Sequence, residues 1–111
     1  MPYRYIFQVE VRPGEEENFR ESWHSGSMPI QKCLGARGTR LHLKRGAERT
    51  FIAIAEWESK EARDAAFAKL DNPDNPLGKD MRRWGENEDF GTVTLIAEVD
   101  EIDVVFPPDM K

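Results

Sequence analysis

Little in this chain can be cross-linked, ligated to a metal or threaded through a bilayer. Cys33 is the only cysteine, which excludes an internal disulfide. A lone thiol fits a reducing compartment, so the cytoplasm is the expected location. Histidine occurs twice, as His24 and His42, and no His, Cys or acid pair has ligand spacing; no metal is expected. Basic residues never run beyond two in a row and the net charge is -5. That balance argues against nucleic acid or an anionic membrane as partner. No stretch approaches the roughly 20 apolar residues of a transmembrane helix. The start, MPYRYIFQVEV, lacks the basic-then-apolar layout of a signal peptide. The segment Gly35-Ala36-Arg37-Gly38 has no strand before it and no helix after it, so it does not read as a phosphate loop.

What the chain has is a soluble, globular composition. It is 111 residues long, with 39% hydrophobic and 33% charged residues. We read one domain over 1–111, with a core over 3–99 and a C-terminal arm over 100–111. Residues 3–11 alternate with period two and predict a strand. After Pro13-Gly14, the acids Glu15, Glu16 and Glu17 suit the positive end of a helix dipole. That helix carries Phe19 and Trp23 on one face, and is expected to weaken at Gly26 and to be interrupted at Met28-Pro29. A short turn from Ile30 to Leu34 follows, closed by Gly35. Residues 37–45 and 50–57 predict two strands joined by a loop at Gly46-Ala47-Glu48. Ser59 caps a helix over 60–70. The repeated Asp-Asn-Pro of 71–76 stops it, a short helix with Met81 and Trp84 is expected over 77–86, and 92–99 predict a fourth strand. The order β-α-β-β-α-β is α+β and ferredoxin-like, a four-stranded antiparallel sheet with two helices on one face.

Sorted by parity, the odd strand positions Tyr5, Phe7, Val9, Leu41, Leu43, Phe51, Ala53, Trp57, Val93, Leu95 and Ala97 form the face for the helices. The even positions place Ile6, Ile52, Ile54 and Ile96 among Gln8, Glu10, His42, Glu56 and Glu98. Four isoleucines on the open face of a sheet call for a cover. A second copy of the chain is the simplest cover, so a homodimer through this face is expected. The arm from Ile102 to Phe106 is also too apolar to trail in water and is expected to reach the partner sheet.

The segments RGTRLHL and IAEWESKEARDAAF, after a helix with Phe19 and Trp23 and a turn into Gly35, resemble the antibiotic biosynthesis monooxygenase family. The resemblance spans about residues 3–99. It implies a dimeric α/β barrel, with Trp57 closing the space between sheet and helix. It also implies a small enzyme, such as an oxygenase that attacks aromatic or quinone-like compounds with dioxygen and no cofactor. The haem-degrading branch of that family is disfavoured. Its strand-one asparagine is here Phe7, and the helix over 60–70 has no histidine.

The candidate site follows from the aromatics. Trp23, Trp57, Phe7, Phe51, Phe67 and Trp84 are expected to wall a pocket for a flat ligand between helices and sheet. His24 and Tyr5 are the expected catalytic groups, His24 as the base because imidazole exchanges protons near neutrality; Arg83 is a more distant polar candidate. Cys33 reads as a small buried thiol. The competing reading is a non-catalytic dimeric binding module in which the aromatics are only core. An open cavity beside Trp23 and Trp57 would separate the two.

Overall fold

The computed structural model describes residues 1–70 and 90–109. The elements run β1 (Tyr3–Val11), α1 (Glu16–Ile30), β2 (Ala36–Leu43), β3 (Thr50–Trp57), α2 (Lys60–Leu70) and β4 (Gly91–Asp100). The sheet is antiparallel in the order β2-β3-β1-β4, the ferredoxin-like arrangement read from the sequence. The expected helix over 77–86 lies outside the described residues. No helix among the described residues is long and apolar enough to cross a membrane.

The core has two adjoining parts. Val9, Val11, Phe19 and Phe51 are buried together, with Phe7, Trp23, Leu41, Phe90 and Val93 packed around them. Tyr3, Trp57 and Ala66 form the other part, flanked by Tyr5, Ile30, Cys33 and Phe67. The first part places α1 and the second α2 on the same face of the sheet. Alternation explains this directly: Tyr3, Val9, Val11, Phe51, Ala53 and Trp57 are all odd-numbered and all buried. Ser59 starts α2 as expected, its Oγ accepting the Ala62 N–H at 3.1 Å.

Two expectations are corrected. First, α1 is not interrupted at Met28-Pro29; it runs unbroken to Ile30 with Pro29 in its last turn. The helix tightens there, the N–H of Gln31 sharing the carbonyls of Ser27 and Met28, and those of Lys32 and Cys33 bonding to Pro29 and Ile30. Pro29 has no N–H to give the Ser25 carbonyl, and the bonds that follow it take the tighter i→i−3 pattern. Second, simple parity fails in β4. Phe7 pairs with Leu95 but Ile6 pairs with Ala97, so Ile96 is the extra residue of a β-bulge. Beyond it the faces exchange. Ala97 and Val99 stand with Ile6 and Arg4 on the outer face, while Glu98 turns toward the helices opposite Tyr5. The Tyr3 hydroxyl donates to the Glu98 carboxylate. The phenol is held well above its ordinary pKa, first by burial and then by this carboxylate, with Arg63 opposing.

After Asp100 residues 101–107 form neither helix nor strand, and the described chain is exposed from Ile102 onward. Ile102 is 87% and Val105 90% exposed. On the open face of the sheet, Ile6, Ile52 and Ile54 are half-buried and Ile96 is exposed. Arg4 bridges Glu56 and Glu101, each at 2.9 Å, at the margin of that face.

Candidate active site

A cavity of about 270 Å³ opens between the helices and the sheet. Its walls come from both helices and all four strands. Trp23, Gly26 and Ile30 on α1 form one side, since a period of 3.6 puts positions three and four apart on one face. Tyr5, Phe7, Ala55, Trp57, Val93 and Leu95 form the floor from the sheet. Arg63 and Phe67 on α2 close the remaining side. Small residues make the space: Gly26 and Ala55 leave room that a large side chain would occupy. Of the expected aromatic walls, Trp23, Trp57, Phe7 and Phe67 meet here with Tyr5. Trp57 and Phe67 lie 6.2 Å apart between ring centroids, and Tyr5 and Phe7 6.1 Å.

The other expected site residues stand elsewhere. Phe51 packs on Phe19, with centroids 5.2 Å apart, inside the neighbouring part of the core. His24 is exposed. With Glu17, Arg20, Arg40 and His42 it lines a shallow depression between α1 and β2. One residue of helix turns the side chain by about 100°, which carries His24 away from the cavity that Trp23 faces. Trp84 and Arg83 lie outside the described residues. Cys33 sits beside the Trp57 part of the core, and burial pushes its thiol pKa up, with Lys69 opposing. That is the opposite of an activated thiolate.

Sequence reading missed the polar lining. Ser22, Ser27, Gln31, Thr39 and Arg63 all face the cavity. Ser27 Oγ donates to the Trp23 carbonyl at 2.8 Å, and Gln31 Oε1 accepts the Gly38 N–H at 2.7 Å. Arg63 is the charged member. Its guanidinium carbon lies 4.7 Å from the Tyr5 ring centroid and 4.3 Å from that of Phe67, within range for cation–π contact. The Arg63–Phe67 spacing of one helical turn was the signal available in the sequence. Among the described lining residues there is no carboxylate and no histidine. Nor is any group of three or more His, Cys, Asp or Glu among the described residues arranged to hold a metal ion.

The family model for antibiotic biosynthesis monooxygenases matches residues 2–69. The chain belongs to that family. The match takes in β1 to β3, the Trp57–Ser59 junction, α1 and all but the last residue of α2. Solved structures agree on the fold of this monooxygenase domain. A mutant of SnoaB, described as a cofactor-independent oxygenase from Streptomyces nogalater, superposes with a TM-score of 0.73 at 14% identity, covering 94% of this chain and 96% of that one. A protein of Mycobacterium tuberculosis superposes with a TM-score of 0.64 at 17% identity, over 93% and 100%. One from Pseudomonas aeruginosa gives 0.66 at 18%, over 92% and 95%. No curated protein matches the sequence significantly.

Proposed function

We propose that this monooxygenase-family chain is a cofactor-independent oxygenase acting on a planar phenol-, enol- or quinone-like molecule held between α1, α2 and the sheet. The carrying observation is the aromatic-walled cavity of about 270 Å³, open where a solid core would be closed. The name of the SnoaB neighbour supports the class of chemistry.

The reaction needs little of the protein beyond binding, orientation and electrostatics. A phenol loses its proton, and the anion passes one electron to dioxygen. The resulting radical pair joins through a new C–O bond, and protonation gives a hydroperoxide. Loss of water then leaves a carbonyl, so a phenol with a free ring position becomes a quinone. One oxygen atom enters the product and the other leaves as water; both electron pairs come from the substrate. Trp23, Trp57 and Phe7 would hold the ring flat and keep water from the reactive carbon. Tyr5 supplies a hydroxyl at the floor. The released proton leaves through the cavity mouth to water, since the described lining has no carboxylate or imidazole.

Titration with 1,4-naphthohydroquinone, followed by tryptophan fluorescence and by an oxygen electrode, tests this. Saturable quenching is expected, because Trp23 and Trp57 would touch the ligand, with protein-dependent oxygen uptake above the spontaneous autoxidation of the hydroquinone. Both signals should vanish in Ala55→Phe, which fills the cavity floor. Quenching without oxygen uptake by any phenolic probe would favour the binding-module reading. No quenching at all would sink the site.

We propose in addition that the chain is a homodimer joined through the outer sheet face. The support is the half-exposed group Ile6, Ile52 and Ile54 with Val99 beside it, and the apolar arm that follows β4, itself an edge strand. Ile54→Asp would bury an unpaired carboxylate in the interface and weaken association by several kcal/mol. Deleting the residues after Asp100 should weaken it too. Sedimentation of the unaltered chain as a monomer at micromolar concentration would remove this proposal.

A further inference from the structure

We propose that the cavity takes its ligand as an anion, a planar aromatic whose ionised oxygen sits on the Arg63 guanidinium. The inference rests on the cavity being a ligand site and deepens that reading by naming the charge of its occupant. A guanidinium among lining residues that are otherwise uncharged and mostly apolar is the observation to be explained. Arg63 is stacked against Tyr5 and Phe67, which also line that cavity. Stacking suits arginine because its delocalised charge is weakly hydrated and its flat face tolerates an aromatic neighbour. The edge, however, carries N–H donors that need acceptors. The Nε–H is buried and has no hydrogen-bond partner among the described residues.

No described residue of the lining neutralises this cation inside the cavity. Its ion-pair partner is Asp64, reached by one terminal nitrogen at 3.2 Å. That carboxylate is half in solvent and also binds Lys60 at 2.9 Å, so its charge is divided between two cations. Of the other described ionisable groups at this corner, Tyr3 and Glu98 are engaged with each other and the Tyr5 ring lies against the guanidinium. Neutral lining groups are partly spent as well, on the Trp23 carbonyl and the Gly38 N–H. What is left open to a ligand is a space walled mainly by aromatic and aliphatic side chains, with the hydroxyls of Ser22 and Thr39 and one cation, Arg63, in its lining. Carboxylates, phenolates and enolates match it, since a charge-assisted bond to a guanidinium is roughly twice as strong as a neutral one. The same contact would favour the ionised form of a bound phenol, the form able to reduce dioxygen, without a base in the cavity. Arg63 is thus a ligand-binding residue that sets specificity for charge.

The test is equilibrium binding at neutral pH of 2-naphthoate and 2-naphthamide, which share size and shape but differ in charge, read by tryptophan fluorescence. The unaltered protein should bind the naphthoate at least about tenfold more tightly. Arg63→Gln should bring the two affinities together mainly by weakening the naphthoate, and Arg63→Lys should keep part of the preference. Thermal unfolding checks that the variants are folded. Equal affinities in the unaltered protein would overturn the inference without any variant and leave the cavity standing. A preference that survives in folded Arg63→Gln would overturn the role of Arg63. If neither probe binds, the ligand-site reading fails and this inference falls with it.

Discussion

Trp57→Ala should cost about 3–5 kcal/mol of folding stability, the range for removing a large aromatic from a packed core. The side chain is 2% exposed. Its backbone pairs with Tyr3 on β1 and Ala36 on β2, so it ties three strands together at the point where β3 leads into α2. Its ring meets Phe67 and lines the cavity. A small domain holds only about 5–15 kcal/mol in total, so the urea midpoint of the variant should fall by a large fraction. A loss below about 1 kcal/mol would show that the neighbours collapse into the gap, and that Trp57 is not the anchor described here.

Gly35→Ala is the second large effect, expected at about 2–5 kcal/mol. Gly35 has a φ of 89°, and a Cβ there would lie 2.6 Å from the Ala62 Cβ. Its carbonyl accepts the Glu58 N–H at 2.8 Å, which pins the turn against the start of α2. The substitution therefore combines left-handed strain with a helix pushed outward. Gly14 is the internal control. It has a φ of 88° but open space where its Cβ would be, so Gly14→Ala should cost only the conformational part, about 1–2 kcal/mol. Equal losses in the two variants, by chemical denaturation, would mean that the close approach to α2 contributes nothing.

Much of this architecture is legible in the sequence because it depends on local rules. The alternation of residues 3–11 allows only a strand with one buried face, and β1 has that face. Ser59 and the apolar spacing of Ala62, Ala66 and Phe67 define α2 and the side it presents. The run Phe51 to Ala55 is bounded by turn residues, and β3 occupies it. Side-chain period and turn chemistry act over a few residues, so a few residues suffice to read them.

The candidate site was less legible. Trp23, Trp57, Phe7, Phe67 and Tyr5 line one space, as parity and helical spacing on facing surfaces lead one to expect. The chemistry of His24 suits a base, but its position on α1 turns it outward. Arg63 is not legible as a lining residue because a charged residue in the first turns of an amphipathic helix ordinarily meets water. Only the packing of α2 across β1 brings it over the Tyr5 ring.

By itself, then, the sequence determined the order and kind of the elements, the face of the sheet that the helices cover, and the aromatic character of the space between them. Each follows from periodicity and from which residues avoid water. The tertiary structure alone decided that Ile96 is a bulge which turns Glu98 inward to Tyr3, that α1 continues through Pro29, and that the cavity has a cation and no described carboxylate or imidazole. Those outcomes depend on strand register and on the separation of helix and sheet, which are set by contacts between residues tens of positions apart.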